Sequence, residues 1–264
     1  DPQRSRLEHA RQIEDDLRWL GLAWDEGGLG GAGTSGPYSQ SLRGDIYEAF
    51  LDKLRQTGYT YPCFCTRADI MATQAPHQSD GRVVYAGTCR PSSFPSGCVP
   101  QRPHATRIYV PDEEIVYSDV VFGPQSVNLA RECGDFILRR ADGAWAYQLA
   151  VVVDDALMGV RQVVRGADLL LSAAQQIYLY RMLGLEPPSF AHLPLVCNAE
   201  GRRLSKRDAA LGMAELRAAN SPEELLGRIA AMAGLIPEAR AISLGELLSE
   251  FSWSKIHRLP TLKA

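Results

Sequence analysis

One stretch constrains this chain more than any other: Trp145-Ala-Tyr-Gln-Leu-Ala-Val-Val-Val-Asp-Asp155, continued through Val163-Val-Arg-Gly-Ala-Asp-Leu169. It reads as an amphipathic segment, a corner carrying two carboxylates, and a short β-branched strand ending on Arg165-Gly166. A strand that ends there sets a fork-shaped cation at the carboxyl edge of a sheet, where open α/β folds bind ligands. Arginine suits a carboxylate or a phosphate because its planar donors match two oxygens at once. Tyr147, upstream on the same ribbon, offers a phenol to the same pocket. On local pattern alone, Tyr147 and Arg165 are better read as ordinary half-buried residues.

A second stretch adds weight. His192-Leu-Pro-Leu-Val-Cys197 is an apolar run that predicts another strand, and the Gly-opened basic loop Gly201-Arg-Arg-Leu-Ser-Lys-Arg-Asp208 follows it. A loop in that place faces nucleotide phosphates in an α/β fold, although a charge run by itself is usually a solvated turn.

Composition narrows the classes. A length of 264 residues allows one large domain or two modest ones, and 45% hydrophobic with 22% charged residues is ordinary for a globular protein. No apolar run approaches a membrane span and no secretory signal opens the sequence, so the expected compartment is the cytoplasm, without membrane attachment. The net charge of −3 argues against a broad surface for coating nucleic acid. Local clusters such as Arg202, Arg203, Lys206 and Arg207 can still supply phosphate contacts.

The six cysteines, at 63, 65, 89, 98, 133 and 197, are too few and too uneven for a disulfide framework. Cys133 and Cys197 read as small buried hydrophobes. Cys63 and Cys65, in C-x-C spacing, can put two thiolates on one metal ion, with Cys89 as a third. Tetrahedral zinc wants four ligands, which leaves Cys98, His77, His104 or Tyr85 for the last place.

Apolar spacing outlines the remaining elements. A helix capped by Ser5 carries Leu7, Ala10, Ile13, Leu17 and Leu20 on one face. Residues 25–37 form a Gly-rich surface loop without phosphate-loop spacing. A helix over Ser39–Gln56 shows the stripe Leu42, Ile46, Ala49, Phe50 and Leu54 and ends at Gly58. Short strands are predicted at Ile108–Val110, Glu114–Tyr117, Val120–Phe122 and Asp135–Arg139, with a turn at Asp142-Gly143. A helix over Ser172–Leu183 precedes Pro187-Pro188. Residues 211–250 are helical, with core faces at Met213, Leu216, Leu225, Ile229 and Leu235 and a start at Ser221-Pro-Glu-Glu. Trp253 is an expected anchor.

Arg203-Leu-Ser-Lys-Arg207 resembles the mobile lysine-containing signature loop of class I aminoacyl-tRNA synthetases. The order Tyr147 then Val-Val-Asp-Asp155, Val163-Val-Arg-Gly-Ala-Asp168, and Leu204-Ser-Lys206 is similar to the glutamyl branch of that class, over nearly the whole chain. The resemblance implies a Rossmann-like α/β catalytic domain with a small zinc-binding, β-rich insert and a C-terminal helical region. The implied division is 1–58, 59–140, 141–210 and 211–264. A first strand, a His-rich motif and an Arg-Ile-Glu-Asp motif would precede it, Asp1-Pro2 looking like the tail of the last. The 264 residues are therefore expected to lack that segment and not to adenylate alone.

By the same resemblance, ATP with Mg²⁺ is a substrate, and Lys206 swings over its phosphates beside Ser205. Arg165 pairs with a substrate carboxylate and Tyr147 hydrogen-bonds the amino acid, L-glutamate. Asp154 and Asp155 are expected to be structural, because the reaction needs no enzyme carboxylate base. Cys63, Cys65, Tyr85 and Cys89 match in order a structural-zinc set, Cys-x-Cys…Tyr-x-x-x-Cys, of the short branch that modifies queuosine. Val151 stands where full-length glutamyl synthetases usually carry Asn, and the chain stops soon after its signature loop. Both features favour the short branch, which activates glutamate without tRNA and transfers it to queuosine in tRNA(Asp). The implied partner is the anticodon stem-loop, met by a monomer. A fragment of a discriminating glutamyl-tRNA synthetase and a catalytically dead zinc-containing RNA-binding module are the alternatives.

Overall fold

The computed structural model describes residues 5–72, 84–91, 102–197, 212–259 and 261–263. The chain begins with helix α1 (Leu7–Trp19), a 3₁₀ turn (Gln40–Leu42) and α2 (Gly44–Gln56), then strand β1 (Thr60–Cys63) and α3 (Arg67–Ala72). Strands β2 (Ala105–Ile108), β3 (Glu114–Asp119) and β4 (Gly123–Asn128) follow, then α4 (Leu129–Glu132) and β5 (Phe136–Arg139). The centre of the fold is α5 (Tyr147–Leu157), β6 (Gln162–Gly166), α6 (Leu170–Met182), β7 (Ser189–Leu193) and β8 (Leu195–Cys197). Helices α7 (Met213–Ala219), α8 (Pro222–Ala233) and α9 (Leu244–Glu250) and strand β9 (Thr261–Lys263) complete it.

The strands form an α/β arrangement. β3, β7 and β6 lie parallel in one sheet of order β4-β3-β7-β6, and β4 closes a hairpin on β3. Parallel neighbours need a crossover, and α6 provides it between β6 and β7. An antiparallel sheet, β1-β2-β5, carries the cysteine-rich region, and β8 pairs with β9. One core joins Tyr47, Leu51 and Leu54 of α2, Leu149, Val152 and Val153 of α5, the buried face of α6, and Phe190 of β7. α6 is buried nearly all round, from Ala173 to Tyr180, as expected of a helix wedged between layers.

Several sequence expectations change here. The stretch 147–157 is a helix and not a ribbon with a corner, so Asp154 and Asp155 project about 100° apart and meet different surroundings. Ser5 does not cap α1. Arg6 takes the N-cap place without a side-chain bond. The apolar face of α1 is largely open, with Leu7 56% and Ile13 59% exposed, while Asp16 is buried and bound by Gln12 and Arg217. Val120–Phe122 is a turn, because the Asp119 carboxylate accepts the N–H groups of Val121 and Phe122, and Gly123 follows at positive φ. The run 192–197 is split at Pro194, which has no N–H to give a sheet. Ile229 of α8 is exposed and Leu226 is buried in its place.

The stripe of α2 is also turned from its predicted position. Leu42 is 71% exposed, and the buried line is Arg43, Tyr47, Leu51 and Leu54. A count of apolar residues misses this line because two of its members are polar and matched across the core. The Arg43 guanidinium donates to Asp154 Oδ1 at 2.6 Å, Tyr47 Oη donates to the same carboxylate at 2.9 Å, and Gln40 adds a third donor at 2.8 Å. Burial, and then the Asp154 charge, push the Tyr47 phenol up and keep it a donor. Gly58 ends the helix as predicted, at φ +79°.

This pair joins α2 to α5, and both partners are buried. Asp154→Ala leaves Arg43 without its counter-charge and is expected to cost about 3–5 kcal/mol in urea unfolding, whereas Tyr47→Phe costs about 1 kcal/mol. The apolar double variant Arg43→Met/Asp154→Leu should lose less than Asp154→Ala alone, since no buried charge is then stranded.

Candidate active site

The carboxyl edge of the parallel sheet is built around Arg165. Its neighbour Gly166 is glycine for reasons of space: a Cβ there would lie 2.7 Å from Asp168 Oδ1 and 3.0 Å from Leu195 Cδ2. The parallel register of β6 and β7 sets Arg165 beside His192. Arg165 Nε donates to His192 Nε2 at 3.1 Å, and one terminal nitrogen donates to Gln176 Oε1 of α6 at 2.8 Å. The other reaches the Leu169 carbonyl at 3.4 Å, and the guanidinium carbon sits 5.1 Å from the Phe190 ring centroid. These contacts leave two of the five guanidinium N–H groups without a partner among the described residues.

Behind Arg165 lies a buried relay. His192 and Asp119 have fully buried side chains, and His192 Nδ1 is 2.7 Å from Asp119 Oδ2. Asp119 also accepts the backbone N–H groups of Val121, Phe122 and His192 at 2.9–3.3 Å. Burial alone would raise its carboxyl. The hydrogen bonds from His192 and those backbone groups outweigh burial and hold it below the usual carboxylate range.

Gln176 Nε2 donates on to Gln148 Oε1 at 2.9 Å, and Gln148 donates to Gln175 and Ser172. A chain of amides therefore runs from Arg165 to the first turn of α5, where Tyr147 is the opening residue and 49% exposed. Val151 follows one helical turn later. Among the described residues, the edge brings together the fixed Arg165 cation and the half-exposed neighbourhood of Tyr147.

The other expected nucleotide groups, Arg203, Leu204, Ser205, Lys206 and Arg207, lie outside the described residues, as do Arg202, Asp1, Pro2, His77 and Cys98. The sequence gives little sign of Asp119, His192, Gln148 or Gln176. Their only signal is polarity inside otherwise apolar runs, as in Phe190-Ala-His-Leu193.

The cysteine cluster is a second locus. The sulfurs of Cys63, Cys65 and Cys89 lie within 4.8 Å of one another, a group that could hold a metal ion. Cys65 Sγ is 3.4 Å from Cys89 Sγ. Tyr85 Oη lies 3.4 Å from Cys63 Sγ and 3.9 Å from Cys65 Sγ, and it accepts the Cys89 N–H at 2.9 Å. Donors around a tetrahedral ion of this size sit roughly 3.5–4 Å apart, so the group fits one. His104 is turned instead to the Arg102 carbonyl, 2.9 Å away. Burial pushes the Cys65 thiol up to about 11, and burial likewise raises the Tyr85 phenol. Gly134, at φ +65°, lets the Tyr85 segment close in, since a Cβ there would be 2.2 Å from the Tyr85 carbonyl oxygen. Asp135, fully buried, then grips Arg90 through both oxygens and accepts from the Tyr61 hydroxyl and the Val110 N–H. That grip ties the cluster to the body of the protein.

Asp154 and Asp155 part company. Asp154 is matched by Arg43 and Tyr47, which bears out a structural role. Asp155 has no hydrogen-bond partner among the described residues, and burial, with the Asp154 charge adding to it, raises its carboxyl from an ordinary 3.8 to about 6. The folded state therefore holds the Asp155 proton more tightly than the unfolded chain. Its contribution to stability is complete below about pH 4 and is lost as pH rises through 6. Asp155→Asn should accordingly raise stability at pH 7 by about 1 kcal/mol, allowing for solvent screening, with the gain fading toward pH 4. Denaturant titrations of both proteins across that range measure the difference.

The comparisons agree with this architecture. The family model for tRNA synthetases class I (E and Q), catalytic domain, matches residues 1–255. The chain is 46% identical over 267 residues to the glutamyl-Q tRNA(Asp) synthetase of Symbiobacterium thermophilum, covering 98% of this chain and 82% of that protein. It is 46% identical to the protein of the same name from Nitratidesulfovibrio vulgaris, over 90% of this chain and 75% of that one. The crystal structure of a glutamate-tRNA synthetase from Elizabethkingia anophelis superposes with a TM-score of 0.81 at 27% identity, and 99% of this chain spans 59% of that one. The α/β sheet with Arg165 at its carboxyl edge and the match along almost the whole chain lead to one conclusion: this protein belongs to the class I tRNA synthetase (E and Q) catalytic-domain family, a family of ligase-type enzymes.

Proposed function

We propose that this chain carries the machinery for ATP-dependent activation of L-glutamate without tRNA, and for its transfer to queuosine at the wobble position of tRNA(Asp). The observation that carries this reading is the Arg165 fork, fixed at the carboxyl edge of β6 with N–H groups to spare and no carboxylate of its own to grip among the described residues. A glutamate carboxylate supplies two oxygens to such a fork. Tyr147 hydrogen-bonds the amino acid. Lys206 and Ser205 act on ATP, with Mg²⁺ on its phosphates, and Lys206 stabilises the charge that grows on departing pyrophosphate. The names of the relatives with 46% identity support the choice of tRNA(Asp), whose anticodon stem-loop is the RNA partner of a cytoplasmic monomer.

Zinc is the metal in this reading, with Cys63, Cys65, Cys89 and Tyr85 as its ligands. Bound there, it supplies a rigid closed knuckle and no reactive centre. The domain boundaries that fit this reading remain 1–58, 59–140, 141–210 and 211–264. A fragment of a glutamyl-tRNA synthetase is the second reading, and the likeness to the Elizabethkingia structure favours it. Val151, one turn beyond Tyr147, is the residue that speaks for the first.

Pyrophosphate exchange, variant kinetics, nuclease mapping and metal analysis test the proposal. In the full product of the gene, pyrophosphate exchange should depend on glutamate and proceed without tRNA. Exchange that requires added tRNA points to the second reading. Arg165→Ala should raise the KM for glutamate by about 100-fold or more with little change for ATP, because a desolvated carboxylate loses its bidentate partner. Lys206→Ala should lower kcat with a smaller effect on glutamate. Labelled glutamate should appear in the anticodon nuclease fragment of queuosine-containing tRNA(Asp) and not at the 3′ end. Metal analysis should find about one zinc per chain, and Cys65→Ser should lose it. Retention of zinc by that variant rejects the ligand set.

A further inference from the structure

We propose that Asp119 and His192 are positioning residues that aim Arg165 through a fixed histidine tautomer. This rests on the reading of Arg165 as the partner of the substrate carboxylate. The contacts around His192 allow only one arrangement of protons. An ionised carboxylate can only accept, so the Nδ1 facing Asp119 Oδ2 at 2.7 Å carries the proton. A guanidinium can only donate, so the Nε2 that faces Arg165 Nε at 3.1 Å is bare. His192 is thus neutral and protonated on Nδ1, with each ring nitrogen set by the partner of the other.

The backbone makes the carboxylate a poor candidate for rotation. Asp119 Oδ1 receives Val121 N–H at 3.0 Å and Phe122 N–H at 2.9 Å, in the turn that starts the β3–β4 hairpin. The relay crosses three parallel strands, from the end of β3 through β7 to β6, and Asp119 and His192 are fully buried while Arg165 is partly exposed. Gln176 fixes a second corner of the guanidinium from α6. A five-donor fork held at Nε and at one terminal nitrogen has one plane left in which to meet a ligand. That plane is the specificity element, and Asp119 and His192 choose it without touching the ligand.

Asp119→Asn keeps the size and shape of the side chain while removing its charge. Its carbonyl can keep the Val121 and Phe122 N–H groups, which leaves its amide N–H₂ facing His192 Nδ1. The proton on the imidazole must then move to Nε2, where it meets the Arg165 Nε–H donor to donor. His192→Gln keeps a carbonyl acceptor near the place of Nε2, and His192→Phe keeps the ring without any acceptor.

The experiment combines two readouts. ¹⁵N-histidine labelling of the chain and long-range ¹H–¹⁵N correlation should show His192 protonated on Nδ1, and on Nε2 in Asp119→Asn. In the full gene product, Asp119→Asn and His192→Phe should raise the KM for glutamate by about 10- to 100-fold, with the KM for ATP and kcat changed far less. His192→Gln should restore most of the glutamate KM. A natural protein protonated on Nε2 overturns the relay whatever the kinetics. A tautomer that switches as expected, with an unchanged glutamate KM while Arg165→Ala still raises it, overturns the positioning role and spares the reading of Arg165. An unchanged glutamate KM in Arg165→Ala overturns both.

Discussion

The sheet depends on a buried carboxylate. β3 meets β7 at a single parallel register pair, Asp119 with Phe190, and the bond from Val120 N–H to the Phe190 carbonyl is the neighbouring tie. A contact so short would leave the hairpin β3–β4 loosely attached. Asp119 closes the gap by accepting from its own turn and from His192 of β7 at once. A charge taken out of water is costly unless its lone pairs are filled, and here they are filled by groups from both strands. The same satisfaction that secures the sheet also settles the proton on His192 and so the attitude of Arg165.

A second buried aspartate does parallel work beside the antiparallel sheet. Asp135 binds Arg90 through both oxygens, one residue after Cys89, and takes the Tyr61 hydroxyl two residues before Cys63. Its own carbonyl accepts Arg107, whose guanidinium lies 3.8 Å from the Tyr85 ring centroid. Cys63 and Cys89 are therefore within two residues of the Asp135 network and Tyr85 is stacked on it, while Cys65 stands two residues beyond Cys63. The thiols are gathered by the fold itself, and a metal ion would find its donors already near tetrahedral spacing.

Much of this was legible in the one-dimensional pattern. The β-branched strand ending on Arg165-Gly166, the helix start at Ser221-Pro-Glu-Glu, the stop at Gly58 and the grouping of Cys63, Cys65 and Cys89 were all read correctly. Each depends on neighbours in sequence or on spacing. Three of the misreadings share another cause. The stripe of α2, the face of α1 and the turn at Val120–Phe122 were each assigned by apolarity. In each case a charged residue, Arg43, Asp16 or Asp119, is buried against a partner far along the chain.

The sequence by itself determined the alternation of helix and strand, the cation at the strand end, the cysteine spacing and, through ordered motifs, membership of the synthetase family. It could do so because periodicity, capping and motif order are local properties of the chain. Only the tertiary structure decided that Asp154 is a structural counter-charge while Asp155 is left with a raised carboxyl, and that His192 stands between Asp119 and Arg165. Adjacent residues on a helix point about 100° apart, and residues paired across strands can lie more than seventy positions apart in the chain. The worth of a polar side chain is set by what it meets when it leaves water, and that partner is supplied by the fold.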